Sequence, residues 1–162
     1  MKIVIIGVGQ TMRGDDGAGP AAVKAWVKRY PQTQEAAQIR TEIEELPGLN
    51  LLSLLQGSDA AIIVDAVQSN NEPGKLHLIQ DDSQFLSRDN AQSAHNLGVQ
   101  ETLALARLLR FEDLPELITI IGIEVGNVVL GENLSIDAKN AIPKAADLIE
   151  KQLQSLLHHI PE

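Results

Sequence analysis

The stretch IVIIGVGQTMRGDDGAGP, residues 3–20, joins a buried strand to a helix through a glycine-rich loop. The β-branched run KIVIIG at residues 2–7 ends at glycine and is typical of a strand that is buried on both faces. Apolar residues then recur at helical spacing, with Ala22 above Trp26 and Val23 above Val27, until Pro31. A strand, a loop and a helix in this order predict the first unit of an α/β fold.

The rest of the chain continues this alternation. Further strands are predicted at 37–45, 59–67 and 117–125, and further helices at 49–57, 95–110 and 135–158. The segment NNEPGKLHLIQ, residues 70–80, turns into another strand with too few residues for a crossover helix, so that strand is expected to run antiparallel. We predict a three-layer αβα sandwich whose mostly parallel, twisted sheet has about five strands, including an antiparallel edge strand.

Composition limits the possible functions. The length of 162 residues predicts one domain, 1–162, and the net charge of −9 disfavours nucleic acid or an anionic membrane as a partner. Because the chain has no cysteine, disulfides, thiolate metal sites and cysteine nucleophiles are excluded, and chemistry must rest on carboxylates and four histidines. No segment has the length of a membrane span, and we expect a cytoplasmic monomer.

The first loop has the glycines of a nucleotide loop without its chemistry. Met12 stands where a dinucleotide-binding loop needs its third glycine. Gly9 and Gly14 have the spacing of a phosphate-binding loop, but Asp15 and Asp16 replace its lysine and hydroxyl residue. The carboxylates reverse the sign of the preferred ligand, so the loop favours a cation or a hydrogen-bond donor. The alternative is that both carboxylates cap the following helix.

Two other polar residues belong to the same edge of the predicted sheet. Asp65 lies near the carboxyl end of the third predicted strand, and His95 lies just before a helix. Because ligands of open α/β sheets bind outside the carboxyl ends of the strands, we expect Asp16, Asp65 and His95 to lie close together. Two carboxylates and one imidazole suit a borderline divalent ion and leave coordination positions open. Taken singly, Asp65 also fits an ordinary turn and His95 an exposed loop. The other histidines are interpreted as structural or solvated: His77, His158 and His159.

Together the stretches GVGQTMRGDDGAG, IIVDAV and SAHNLG resemble the NiFe-hydrogenase maturation endopeptidases. That family has a glycine-bounded loop followed by an acidic pair, an Asp after a central strand and then a histidine loop. The resemblance covers nearly the whole chain. It implies an endopeptidase that removes the C-terminal peptide from the large-subunit precursor of a NiFe-hydrogenase after nickel has been inserted.

The resemblance also implies roles for individual residues. Asp16, Asp65 and His95 would contact a nickel ion that the substrate carries, with zinc or cadmium as surrogates. Asp15 or a metal-polarised water would help the attack on the peptide bond. The chain departs from the family pattern at Gln10, where Asn is usual, and at EELPGLN, residues 44–50, where many members have an Asp-Gly-Gly run.

Two alternatives use the same acidic residues. A phospho-receiver module also has an acidic pair after the first strand and an Asp after the third. It needs the pair directly at the strand end and a lysine after the last strand, whereas Asp15 lies well beyond Gly7 and ITIIGIEVG, residues 118–126, has no lysine. The second alternative is a non-catalytic protein that binds a hydrogenase maturation intermediate in the acidic pocket.

Overall fold

The strands and helices alternate as the sequence predicts. The computed structural model describes residues 1–36, 38–46, 48–80, 98–126, 128–131 and 133–158. The strands are β1 Ile3–Val8, β2 Ile39–Glu44, β3 Ala60–Val67, β4 Leu76–Gln80 and β5 Leu117–Glu124. The helices are α1 Ala18–Arg29, α2 Pro31–Gln34, α3 Leu49–Leu55, α4 Val99–Leu108 and α5 Ile136–His158. A short 3-10 helix, Gly14–Gly17, precedes α1.

The one-turn helix α2 and the 3-10 helix were not predicted. Pro31 was expected to stop the first helix, and α1 does end at Arg29. The same proline then begins α2, because its fixed φ and missing N–H suit the first helical position. The 3-10 helix contains both acidic residues of the first loop, which therefore has regular structure just before α1.

The strands form one sheet in the order β2-β1-β3-β5-β4. The pairs β1–β2, β1–β3 and β3–β5 are parallel, and β4 runs antiparallel to β5 at an edge. The predicted fold class is confirmed, including its antiparallel edge strand. In β1–β3, Val8 pairs with Asp65, so the first loop leaves the sheet beside that carboxylate.

Helices cover both faces of the sheet. On one face, α1 and α5 pack on alternate residues of the central strands, and the indole Nε1 of Trp26 in α1 donates to Glu150 in α5 at 2.8 Å. On the other face, α3 and α4 pack on the intervening residues. Among the helices of the described ranges, none has the length and apolar character needed to cross a membrane.

The start of α1 packs directly on the carboxyl ends of β1 and β3. A Cβ atom on residue 19 would lie 2.3 Å from the carbonyl oxygen of Val64 and 2.6 Å from that of Val8. A Cβ atom on Gly7 would likewise lie 2.9 Å from the Cα of Pro20. These backbones can meet only because both positions are glycine. The contact therefore fixes the first loop above the ends of β1 and β3.

We predict that Gly19→Ala lowers the free energy of unfolding by about 2–3 kcal/mol, because the new methyl group meets two backbone oxygens that cannot move aside. Gly126→Ala is the matched control, since its Cβ atom would meet only Pro73 Cγ at 3.9 Å. Chemical denaturation of both variants measures the effect. Equal stability of Gly19→Ala and the wild type would show that α1 does not pack this closely on the strands.

Candidate active site

The first loop folds back on itself and holds Asp16 through its backbone. Gly9 has φ +140°, and a Cβ atom there would lie 1.8 Å from the carbonyl oxygen of Asp16, so only glycine fits. The backbone N–H of Gln10 donates to Asp16 Oδ2 at 2.7 Å. Because this contact uses the main chain, the replacement of the usual Asn by Gln10 leaves it in place. Asp16 stays partly exposed at the carboxyl end of the sheet.

Asp65 lies next to this loop and interacts electrostatically with Asp16. It lies between Val8 of β1 and Gly122 of β5 in the sheet register. Burial, the negative charge of Asp16 and that of Glu101 raise the pKa of Asp65 to about 7, against the opposing effect of the backbone N–H of Ala66. The predicted proximity of Asp16 and Asp65 is confirmed. A carboxyl group poised near neutral pH beside a second carboxylate forms a site that a proton or a cation can occupy.

Asp15 has different surroundings from Asp16. Its side chain is buried, and its Oδ1 and Oδ2 accept hydrogen bonds from the N–H and the hydroxyl of Ser135 at 2.6 and 2.7 Å. Ser135 Oγ in turn accepts from the N–H of Ala138 at 3.2 Å in the first turn of α5. The N-cap position of α1 is Gly17, which has no side chain, and the carboxylate of Asp15 bonds to Ser135 before α5 instead. Its buried, occupied carboxylate favours a structural role over help in the attack.

Comparison with known proteins indicates the family of this chain. The profile of a family described as hydrogenase maturation protease matches residues 46–152. The chain belongs to the hydrogenase maturation protease family. The predicted family and peptidase activity are thereby confirmed, and the phospho-receiver and the non-catalytic binding protein are not supported.

Several relatives of this protease span most of its length. The hydrogenase expression/formation protein HupD of Rhizobium leguminosarum bv. viciae is 27% identical over 156 residues, which are 95% of this chain and 75% of that protein. The hydrogenase 2 maturation protease of Escherichia coli K12 is 29% identical over 126 residues, 76% of this chain and 73% of that protein. The solved structure of the hydrogenase maturating endopeptidase HybD from E. coli has a TM-score of 0.76 at 22% identity and covers 96% of this chain and 93% of its own. The structural match shows the shared fold.

The third predicted metal contact of the protease, His95, lies outside the described residues. Across the ranges that the structure describes, no cluster of three His, Asp or Glu side chains could hold a metal ion. The described part of the site therefore contributes the two carboxylates, Asp16 and Asp65, and the metal-contacting roles of all three residues stay predictions.

Glu124 is a buried carboxylate near the site that the sequence analysis missed. It ends β5, is 1% exposed and accepts hydrogen bonds from the N–H and hydroxyl of Ser69 and from the N–H of Asn71. His77 Nε2 lies 3.9 Å from Glu124 Oε2. Burial alone would raise the pKa of Glu124, but these hydrogen bonds and the charge of His77 lower it below its ordinary value.

Through these hydrogen bonds Glu124 holds in place the connection that follows Val67, the last residue of β3. We call this arrangement of Glu124, Ser69 and Asn71 the clamp. His77, interpreted from sequence as structural or solvated, is mostly buried beside this clamp, whereas His158 is exposed on α5. His159 lies outside the described residues. A sequence signal for the clamp did exist, because a carboxylate closes the apolar run LITIIGIE, and Asp65 likewise follows the apolar run AAIIV near the end of its strand.

We predict opposite behaviour for the two adjacent acids. Asp15→Asn should lower the free energy of unfolding by about 1–3 kcal/mol, because an amide presents a donor to the two donors of Ser135. Asp16→Asn should leave stability unchanged or raise it, because a repulsion with Asp65 is removed, while precursor processing falls by about 100-fold or more. Denaturation curves and cleavage rates of the two variants test this prediction. Loss of stability only in Asp16→Asn, with loss of processing only in Asp15→Asn, would reverse the assignment.

Proposed function

We propose that this protease removes the C-terminal peptide from the large-subunit precursor of a NiFe-hydrogenase after nickel has been inserted. Family membership supports the reaction and its protein substrate. The observation that supports the role of nickel is the position of Asp16 beside Asp65, whose pKa is raised to about 7 by burial and, in second place, by the negative charge of Asp16. An acidic pair of this kind favours a cationic substrate group.

The nickel arrives with the substrate. In the free protein, partial protonation of Asp65 near neutral pH reduces the repulsion between Asp16 and Asp65. When the precursor binds, Asp16, Asp65 and His95 would together hold its nickel ion, whose charge would offset the repulsion between the two carboxylates. Carboxylate and imidazole groups suit nickel, and they also suit zinc and cadmium, which should substitute for it in binding experiments.

Recognition of the nickel positions the peptide bond that is cut. The ion is fixed within the precursor, so its contact with Asp16 and Asp65 places the nearby chain against the first loop in one orientation. Asp15 is occupied by Ser135, and the other two carboxylates are occupied by the ion. In the proposed mechanism Asp16 and Asp65 would hold the ion and so position the bond, and the ion would supply the polarisation of the attacking water.

In this mechanism, the rate of cleavage depends on whether the precursor holds nickel. The protease alone offers only part of a coordination shell, so it should bind productively only to a precursor that already holds nickel in the correct geometry. A cytoplasmic site of action, where we expect the precursor to be loaded, stays a prediction.

The test compares nickel-loaded with nickel-free precursor at equal protease concentration, with the new C-terminus identified by mass spectrometry. We expect the loaded precursor to be cleaved at least about 10-fold faster, because only the metal fixes the peptide bond in place. Free nickel added to nickel-free precursor should restore little. Asp65→Ala and His95→Ala should abolish cleavage of the loaded form without unfolding the protease.

Equal cleavage of both precursors by the wild type would mean that the peptide sequence alone is recognised. No cleavage of either precursor would contradict the proposed substrate itself. Lys28→Ala serves as a control variant, because that exposed residue of α1 lies on a part of the surface with no role in the proposed mechanism, and it should process the loaded precursor at the wild-type rate.

A further inference from the structure

Three large apolar side chains around the acidic loop face solvent. Met12 is 73% exposed, Leu130 is 75% exposed and Ile136 is 76% exposed. Leu130 and Ile136 are the most exposed large apolar side chains in the described part of the chain. Single exposed apolar residues are common on protein surfaces, but several grouped at one place indicate an interaction site.

Hydrogen bonds tie the three segments to one another. The N–H of Gly131, next to Leu130, donates to the carbonyl oxygen of Met12 at 2.8 Å. Ser135, next to Ile136, donates both of its hydrogen bonds to Asp15. Each exposed side chain is therefore carried by backbone that is anchored to the acidic loop itself, within a few residues of Asp16.

We propose that Met12, Leu130 and Ile136 form an apolar rim on which the folded body of the hydrogenase large-subunit precursor docks. The inference rests on the proposed function and adds the surface that the substrate uses. The rim residues lie in the loop that carries Asp16 or next to residues hydrogen-bonded to that loop, so a protein that delivers its nickel to Asp16 comes against this part of the surface.

The hydrogen-bonded backbone that carries the three rim residues contributes to the affinity for the precursor. Backbone hydrogen bonds hold the three segments before the substrate arrives, so docking does not have to order them. Burying large apolar side chains then contributes binding free energy at a distance from the reacting bond. Such contacts are the same in the bound substrate and in the transition state, so their loss should raise KM and leave kcat unchanged.

The test uses a triple variant, Met12→Gln, Leu130→Gln and Ile136→Gln, with nickel-loaded precursor. We expect KM to rise about 10- to 100-fold, because three large apolar side chains no longer gain free energy from burial against the precursor, with kcat within about twofold of the wild type. The melting temperature should not fall, because the three side chains are exposed. The matched control is Leu108→Gln with Leu109→Gln, two residues that are 72% and 66% exposed near the end of α4. That control should have the wild-type KM.

The outcomes separate this inference from the proposed function. Wild-type KM in the triple variant would overturn the rim, even if nickel-loaded precursor is cleaved normally. An equal rise in KM in the α4 control would also overturn it, because the effect would then reflect general surface polarity.

Sedimentation of the protease alone gives a second measurement. If the wild type self-associates and the triple variant does not, the rim binds a second copy of this chain, and the proposal is contradicted. Failure of the wild type to cleave loaded precursor would instead contradict the proposed function.

Discussion

The site depends on one packing contact, in which the glycine-containing start of α1 lies directly on the carboxyl ends of β1 and β3. Gly19 brings α1 against the carbonyl oxygens of Val8 and Val64, and the next residue of β3 is Asp65. The loop between β1 and α1 must then turn back within a short distance, and Gly9 permits that turn. Asp16 comes close to Asp65 as a result, and the electrostatic coupling between the two follows from backbone packing.

A second contact connects this loop to the end of the chain. Asp15 accepts both hydrogen bonds from Ser135, whose hydroxyl also caps α5. The two adjacent acids therefore have different roles, since Asp15 holds the loop to α5 and Asp16 stays partly exposed beside Asp65. The same contact places Ile136 beside the loop, so the proposed docking rim shares its support with the proposed nickel site.

The sequence predicts the parts of this structure that depend on local pattern. Apolar runs predict the buried strands, and the rule that ligands bind at the carboxyl ends of parallel strands predicts the proximity of Asp16 and Asp65. The partner of Asp15 could not be predicted, because Ser135 lies 120 residues away and no local pattern connects the two. The same holds for the clamp of Glu124 on Ser69, which forms only when β3 and β5 pair. The contribution of His95 stays a prediction, since that residue lies outside the described part of the chain.

The central claim is that Asp16 and Asp65 form one coupled acidic pair, and carboxyl NMR titration of Asp65 tests it most directly. In the wild-type protein Asp65 should titrate with a pKa of about 7. In Asp16→Asn the pKa of Asp65 should fall yet stay above the ordinary value for Asp, because burial, the larger cause, remains. Glu101→Gln should produce a smaller fall. An Asp65 pKa that is unchanged by Asp16→Asn would show that the two carboxylates are not coupled and would contradict the account.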